Sequence, residues 1–167
     1  LDPATGRAEA TLDIELENAS PSSGLPAYVI GPYLPMSRPT EAGDNRLFLS
    51  IYTRWEMTGA TLGSEPLLLE SAEELDRRVY SALLDIPAGT TAEVRVTLRG
   101  RYAGAPGYQL DVLRQPTVRP DEMTMSVTLE GGARITETTG GLEPSGRAAT
   151  AAFPVDQARR LQLAYEG

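Results

Sequence analysis

The 167-residue chain contains no cysteine, no histidine and no lysine, so that all fifteen of its basic residues are arginine. Each absence closes a class of chemistry. Without cysteine there is neither a disulfide framework nor a thiol nucleophile. Without histidine as well, the Ser/His/Asp and Cys/His arrangements cannot be assembled, and a zinc or iron site would have to be built of carboxylates alone. Without lysine there is no phosphate-loop lysine, no Schiff base and no Ser/Lys pair, and neither GxSxG nor GxGxxG occurs. Apolar runs are short, none approaching the roughly 20 residues that a membrane-spanning helix needs. Positive charge is also scarce: 23 acids against 15 bases give a net charge of −8. Nucleic acid and an anionic membrane surface are therefore not expected partners, because both need a basic face. The all-arginine bias reads as a GC-rich coding sequence rather than a binding device.

What is present is a series of short alternating segments. Residues 10–18 set Leu12, Ile14 and Leu16 against Thr11, Asp13, Glu15 and Glu17, the period of two that marks a half-buried strand. Residues 92–101 repeat the pattern with Val94, Val96 and Leu98, after the turn residues Pro87, Ala88 and Gly89. Residues 46–54 and 108–113 are further strands, followed by four more at 123–129, 133–138, 148–153 and 161–165, with Gly131-Gly132 and Gly140-Gly141 between them. Short strands with Gly and Pro punctuation predict an all-β fold, an antiparallel immunoglobulin-like β-sandwich with a long ordered loop and additional C-terminal strands. The expectation is one unit over 1–167, with an internal seam at 115–120, where Pro116 and Pro120 interrupt the pattern. The strands at 11–17 and 92–99 are expected to be antiparallel neighbours, with their aliphatic residues inward and Asp13, Glu15 and Glu17 facing Arg95 and Arg99.

Residues 71–84 admit two readings. Ser71 and Glu74 match a capping box, and Ala72, Leu75, Val79 and Ala82 have near-helical spacing, whereas 78–86 also reads as a strand entering the Pro87 turn. The β context predicts a single helical turn at 72–75 and then a strand. Residues 20–45 form a long connection with five prolines. It is predicted to be ordered by burial of some of Tyr28, Val29, Ile30, Tyr33 and Leu34.

Carboxylate-pair chemistry survives the census of residue types, and Glu73-Glu74-Asp76 and Asp121-Glu122 are the densest acidic clusters. Acids are mostly exposed, so a solvated face or turn is the expected role of both. Glu41, Asp44 and Asn45 offer oxygen ligands for calcium, but their spacing is that of a turn around Gly43. No catalytic residue, metal site or cofactor is assigned. The candidates for contact with a protein partner or an envelope glycan are aromatic: Tyr28, Tyr33 and Trp55. Rings in or beside loops can stack on sugars or anchor a partner, although Trp55 also suits core packing. No feature of the sequence sets an oligomeric state.

Several stretches resemble the C-terminal region of an actinobacterial family, the domain-of-unknown-function family numbered 4012. They are Asp2-Pro3-Ala4-Thr5-Gly6, the run Asn18-Ala19-Ser20-Pro21-Ser22-Ser23-Gly24-Leu25-Pro26-Ala27-Tyr28-Val29-Ile30-Gly31, and Asn45-Arg46-Leu47-Phe48-Leu49-Ser50-Ile51-Tyr52. Val79-Tyr80-Ser81 and Asp85-Ile86-Pro87-Ala88-Gly89 extend the likeness, which covers residues 2–115. The resemblance implies a membrane-anchored parent protein with its bulk outside the cytoplasm, and it implies no activity. A start at Leu1 without a charged or apolar leader fits a piece of a longer protein, whose targeting segment is expected upstream.

Overall fold

A computed structural model describes residues 1–32, 39–102 and 107–167. In chain order the elements are β1 (Arg7–Glu17), the single helical turn α1 (Ala27–Ile30), β2 (Asn45–Thr53), β3 (Glu56–Leu62), β4 (Glu65–Pro66), β5 (Glu70–Glu74) and β6 (Arg77–Ile86). Then come β7 (Thr91–Arg101), β8 (Gly107–Val112), β9 (Glu122–Thr128), β10 (Arg134–Thr139), β11 (Glu143–Ser145), β12 (Ala148–Pro154) and β13 (Arg159–Glu166). Among the described residues the fold is all-β apart from α1, and every sheet pairing described is antiparallel.

The chain divides into two compact units. A continuous unit spans Glu9–Gly100, and a split unit joins Leu1–Ala8 to Arg101–Gly167. The crossings lie within β1 and at the end of β7, so no Pro/Gly-rich linker announces them. The segment 115–120, read as a seam, lies between β8 and β9 inside the split unit.

In the continuous unit one sheet runs β1-β7-β3-β4 and the other β2-β6-β5. Val94, Val96 and Leu98 of β7 share a core with Ile51 of β2 and with Ala82 and Leu84 of β6. The two sheets therefore face each other across an apolar layer, as in a sandwich. Ion pairs join Asp13 to Arg95 at 2.5 Å and Glu9 to Arg99 at 2.8 Å. Residue numbers fall along one strand as they rise along the other, so β1 and β7 are the antiparallel neighbours expected. Ile14 and Leu16 pack against the core, but Leu12 is 36% exposed. It lies on an edge strand, which has a neighbour on one side only. Gly100 of β7 lies under the indole of Trp55, leaving no room for a Cβ.

The helical turn expected at 72–75 is not formed. Residues 70–74 are β5, paired with β6, and Leu75 and Asp76 make the two-residue turn with φ of +51° and +58°. Positive φ at both central residues is the type I′ signature, whose twist suits a hairpin. The Ser71–Glu74 spacing imitates a capping box because β5 is an edge strand exposed at every residue, and charged exposed edges are common.

In the split unit β10-β13-β8 and β11-β12-β9 enclose a second core. It is built from the alternating Ala149, Ala151 and Phe153 of β12, Leu161 and Leu163 of β13, and Val127 of β9. The strands read at 108–113, 123–129, 133–138, 148–153 and 161–165 appear as β8, β9, β10, β12 and β13. Leu1 joins this unit: its amino group donates to Thr128 O at 2.7 Å, and its carbonyl accepts from Glu130 N at 2.7 Å. The Asp2 carboxylate accepts from the Thr5 hydroxyl and from Ala4 N, which holds its pKa below the ordinary value. Tyr102 meets Tyr165 hydroxyl to hydroxyl at 3.2 Å and Tyr108 edge to face at 5.9 Å. Desolvation raises the pKa of both Tyr102 and Tyr108, helped at Tyr102 by the bond to Tyr165.

Candidate binding surface

The connection between β1 and β2 is held at its base by one buried amide. Asn18, 5% exposed, donates through Nδ2 to Gly43 O and to Ile86 O, both at 2.9 Å, while its Oδ1 accepts from Ser20 N at 3.1 Å. Its backbone is tied to the turn before β7, Asn18 N to Thr90 O and Gly89 N to Asn18 O, each at 2.9 Å. On the far side Gly43 N donates to Ile30 O at 2.6 Å. Gly43 has φ +85°, and a Cβ there would run into the Pro21 carbonyl and approach Ala88 Cβ to 2.8 Å. The crossing of the two loop arms thus requires glycine.

These bonds fix α1. Pro26 enters with an extended backbone, Val29 N and Ile30 N donate to Pro26 O, and Gly31 N closes the turn on Ala27 O. Ile30 points inward and is buried, whereas Leu25, Tyr28 and Val29 are exposed, Tyr28 at 81%. Burying Ile30 contributes about 1.5 to 3 kcal/mol, against an ordering cost of about 1 to 2 kcal/mol for every residue of the loop. Among the described residues of the connection, the paired backbone groups at its base add to what the burial of Ile30 contributes. The result is a fixed turn that presents a phenol and two aliphatic side chains to solvent.

Of the aromatic candidates, Tyr28 is at the tip of this turn. Tyr33, with Leu34, lies outside the described residues. Trp55, between β2 and β3, is half-buried against the core of the continuous unit and over Gly100. The structure therefore does not bring Tyr28 and Trp55 into one described site.

No family model, curated protein or solved structure matches this chain.

The acidic candidates have separate surroundings. Asp44 accepts from Glu41 N at 2.8 Å through Oδ2 and from Ala88 N at 3.2 Å through Oδ1, so one oxygen of the calcium candidate closes the local turn and the other ties the loop to the turn at 87–90. Among the described residues no group of three or more acids is placed to hold a metal ion. Glu74 accepts from the Tyr52 hydroxyl at 2.7 Å, while Glu73 and Asp76 line a depression beside it. Asp121 and Glu122 are exposed where β9 begins. Among the described residues no helix is long and apolar enough to cross a membrane.

Sequence reasoning missed the outer face of the β2-β6-β5 sheet. Phe48, 62% exposed, stands opposite the exposed Leu83. One step along, Ser50 and Ser81 share a hydrogen bond at 2.9 Å. Beyond them Tyr52 of β2 reaches across β6 to Glu74 of β5, passing its own ladder partner Val79, which is buried. The period of two in 46–54 was a signal for this face, because Phe48 and Tyr52 fall on the same side.

Proposed function

We propose that the chain is a non-catalytic, partner-binding module of a cell-envelope protein, held outside the cytoplasm through an upstream segment. The carrying observation is the fixed turn of Leu25, Tyr28 and Val29. Aromatic anchors with little conformational freedom to lose contribute most to protein contacts, and this turn is ordered before any partner arrives. The envelope setting rests on the resemblance to the family numbered 4012. We read the continuous unit as immunoglobulin-like: β2-β6-β5 corresponds to the B-E-D order and β3-β7 to C-F, with β1 in the place of strand G.

Photo-crosslinking tests the contact. A photoreactive residue at position 28 of the complete protein, in cells, is expected to give a discrete adduct that position 118, exposed in the split unit, does not. No adduct, or the same adducts at both positions, would refute the contact surface.

The exposed Tyr28 ring also supports a glycan-binding reading. Titration with envelope polysaccharide, lost in Tyr28→Ala, is the result that would favour it. The non-catalytic reading has its own check: release of reducing ends from that polysaccharide, abolished by Glu73→Gln, would overturn it.

A further inference from the structure

A depression of about 500 Å³ at one end of the β2-β6-β5 sheet is lined by Arg54, Glu73, Asp76, Arg77 and Arg78. Strand register assembles it. Arg78 lies between Thr53 of β2 and Glu73 of β5, Arg54 follows Thr53, and Asp76 belongs to the β5–β6 turn. Opposite charges on adjacent strands ordinarily close into pairs. Here they stand apart: among the described residues, Arg54, Arg77 and Arg78 enter no ion pair, as is also true of most arginines outside the pairs of Arg46, Arg95, Arg99 and Arg160. Glu74, the ladder partner of Arg77, is engaged instead by Tyr52.

The lining restricts what could fill the space. Guanidinium groups only donate hydrogen bonds and carboxylates only accept them. Phosphate or sulfate would satisfy the arginines but would meet Glu73 and Asp76 with like charge, and sulfate has no donor and phosphate at most two for their four oxygens. A neutral sugar would serve the two acids and leave three guanidinium groups without an anion. A sugar acid offers both a carboxylate for bidentate recognition and several hydroxyl donors.

We propose that this depression binds an acidic saccharide, its carboxylate taken by Arg77 and Arg78 with support from Arg54, and its hydroxyls donating to Glu73 and Asp76. The site does not depend on the turn at Tyr28, so Tyr28→Ala is expected to leave it intact.

Calorimetric titration of the complete chain with trigalacturonate tests the assignment. Saturable binding is expected, weakened about tenfold or more in each of Arg77→Gln and Arg78→Gln and reduced by added salt. Glu73→Gln with Asp76→Asn is expected to weaken trigalacturonate while strengthening inorganic phosphate, an inversion that general loss of folding cannot produce. All substitutions are at exposed positions, and unchanged thermal melting would confirm an intact fold. The proposal is overturned if trigalacturonate does not bind at about 10 mM, which is weaker than any useful recognition. It is equally overturned if the arginine variants bind as the native chain does, or if maltotriose, phosphate or an Asp-Lys dipeptide binds as tightly.

Discussion

Asn18 satisfies its whole amide inside the protein, with both hydrogens and the oxygen committed to the loop base and to the end of β6. Replacing it by alanine leaves the Gly43 and Ile86 carbonyls without that donor in a buried setting. Asn18→Ala should therefore cost about 2 to 4 kcal/mol in a denaturant titration. A loss as small as that of an exposed alanine substitution would show that the loop is held by other means. In the sequence, Asn18 before Ser20 and Pro21 reads only as a turn former, because a partner 68 positions away has no local signature. Tyr52 offers a second test. Its hydrogen bond to Glu74, then desolvation and the carboxylate charge, raise its pKa above 10.0. The folded value exceeds the unfolded one, so this interaction stabilises the fold below pH 10.0 and is lost as pH rises through the folded value. Ultraviolet titration should find Tyr52 among the late-ionising tyrosines, and Glu74→Gln should move it back towards 10.0. An unchanged titration in that variant would rule out the bond.

Elements with an unbroken period of two were legible in the sequence, and the reason is energetic. A slip of one residue in β7 would expose Val94, Val96 and Leu98 together, so the aliphatic face fixes the pairing more strongly than the Asp13–Arg95 and Glu9–Arg99 contacts at its exposed side. Val96→Ala should cost about 2 to 3 kcal/mol, whereas Arg95→Ala should leave the midpoint almost unchanged. Comparable losses would contradict this ranking. β3, β4 and β11 were not legible. β3 carries a bulge between Met57 and Gly59 that breaks its alternation, and β4 and β11 are too short for a period to show. The β5–β6 hairpin was misread because its turn lacks the Asn-Gly pair that such turns favour. Leu75 and Asp76 hold left-handed conformations that cost a branched, bulky residue about 1 to 2 kcal/mol. Leu75→Asn with Asp76→Gly should raise stability by about 1 kcal/mol. A decrease would mean that Leu75, exposed here, contributes packing elsewhere.

For the molecule as a whole, the pattern of apolar residues showed that sheets would form but not which faces would meet. Both cores are built from the same repeating Val, Leu and Ala alternation, and the boundary within β1 and β7 leaves no compositional trace. The arginine-lined depression was hidden for the same reason, since Arg54 and Arg78 become neighbours only through the register of β2 with β6. Two separate cores imply that damage is local. By hydrogen exchange, Val96→Ala should reduce protection first in the continuous unit, and Leu161→Ala first in the split unit. Equal loss in both units from either change would indicate one cooperative structure.

The discontinuity of the split unit carries a consequence for biosynthesis. A chain emerging from a ribosome or a secretion channel has all of the continuous unit outside once Gly100 has passed, and that sandwich can close at once. Residues 1–8 leave earlier and must wait, because Thr128 and Glu130, to which Leu1 is tied, come much later. During that interval the stretch is an unfilled place-holder, open to proteases and chaperones. Residues 1–8 thus emerge ahead of the continuous unit yet become protected after it.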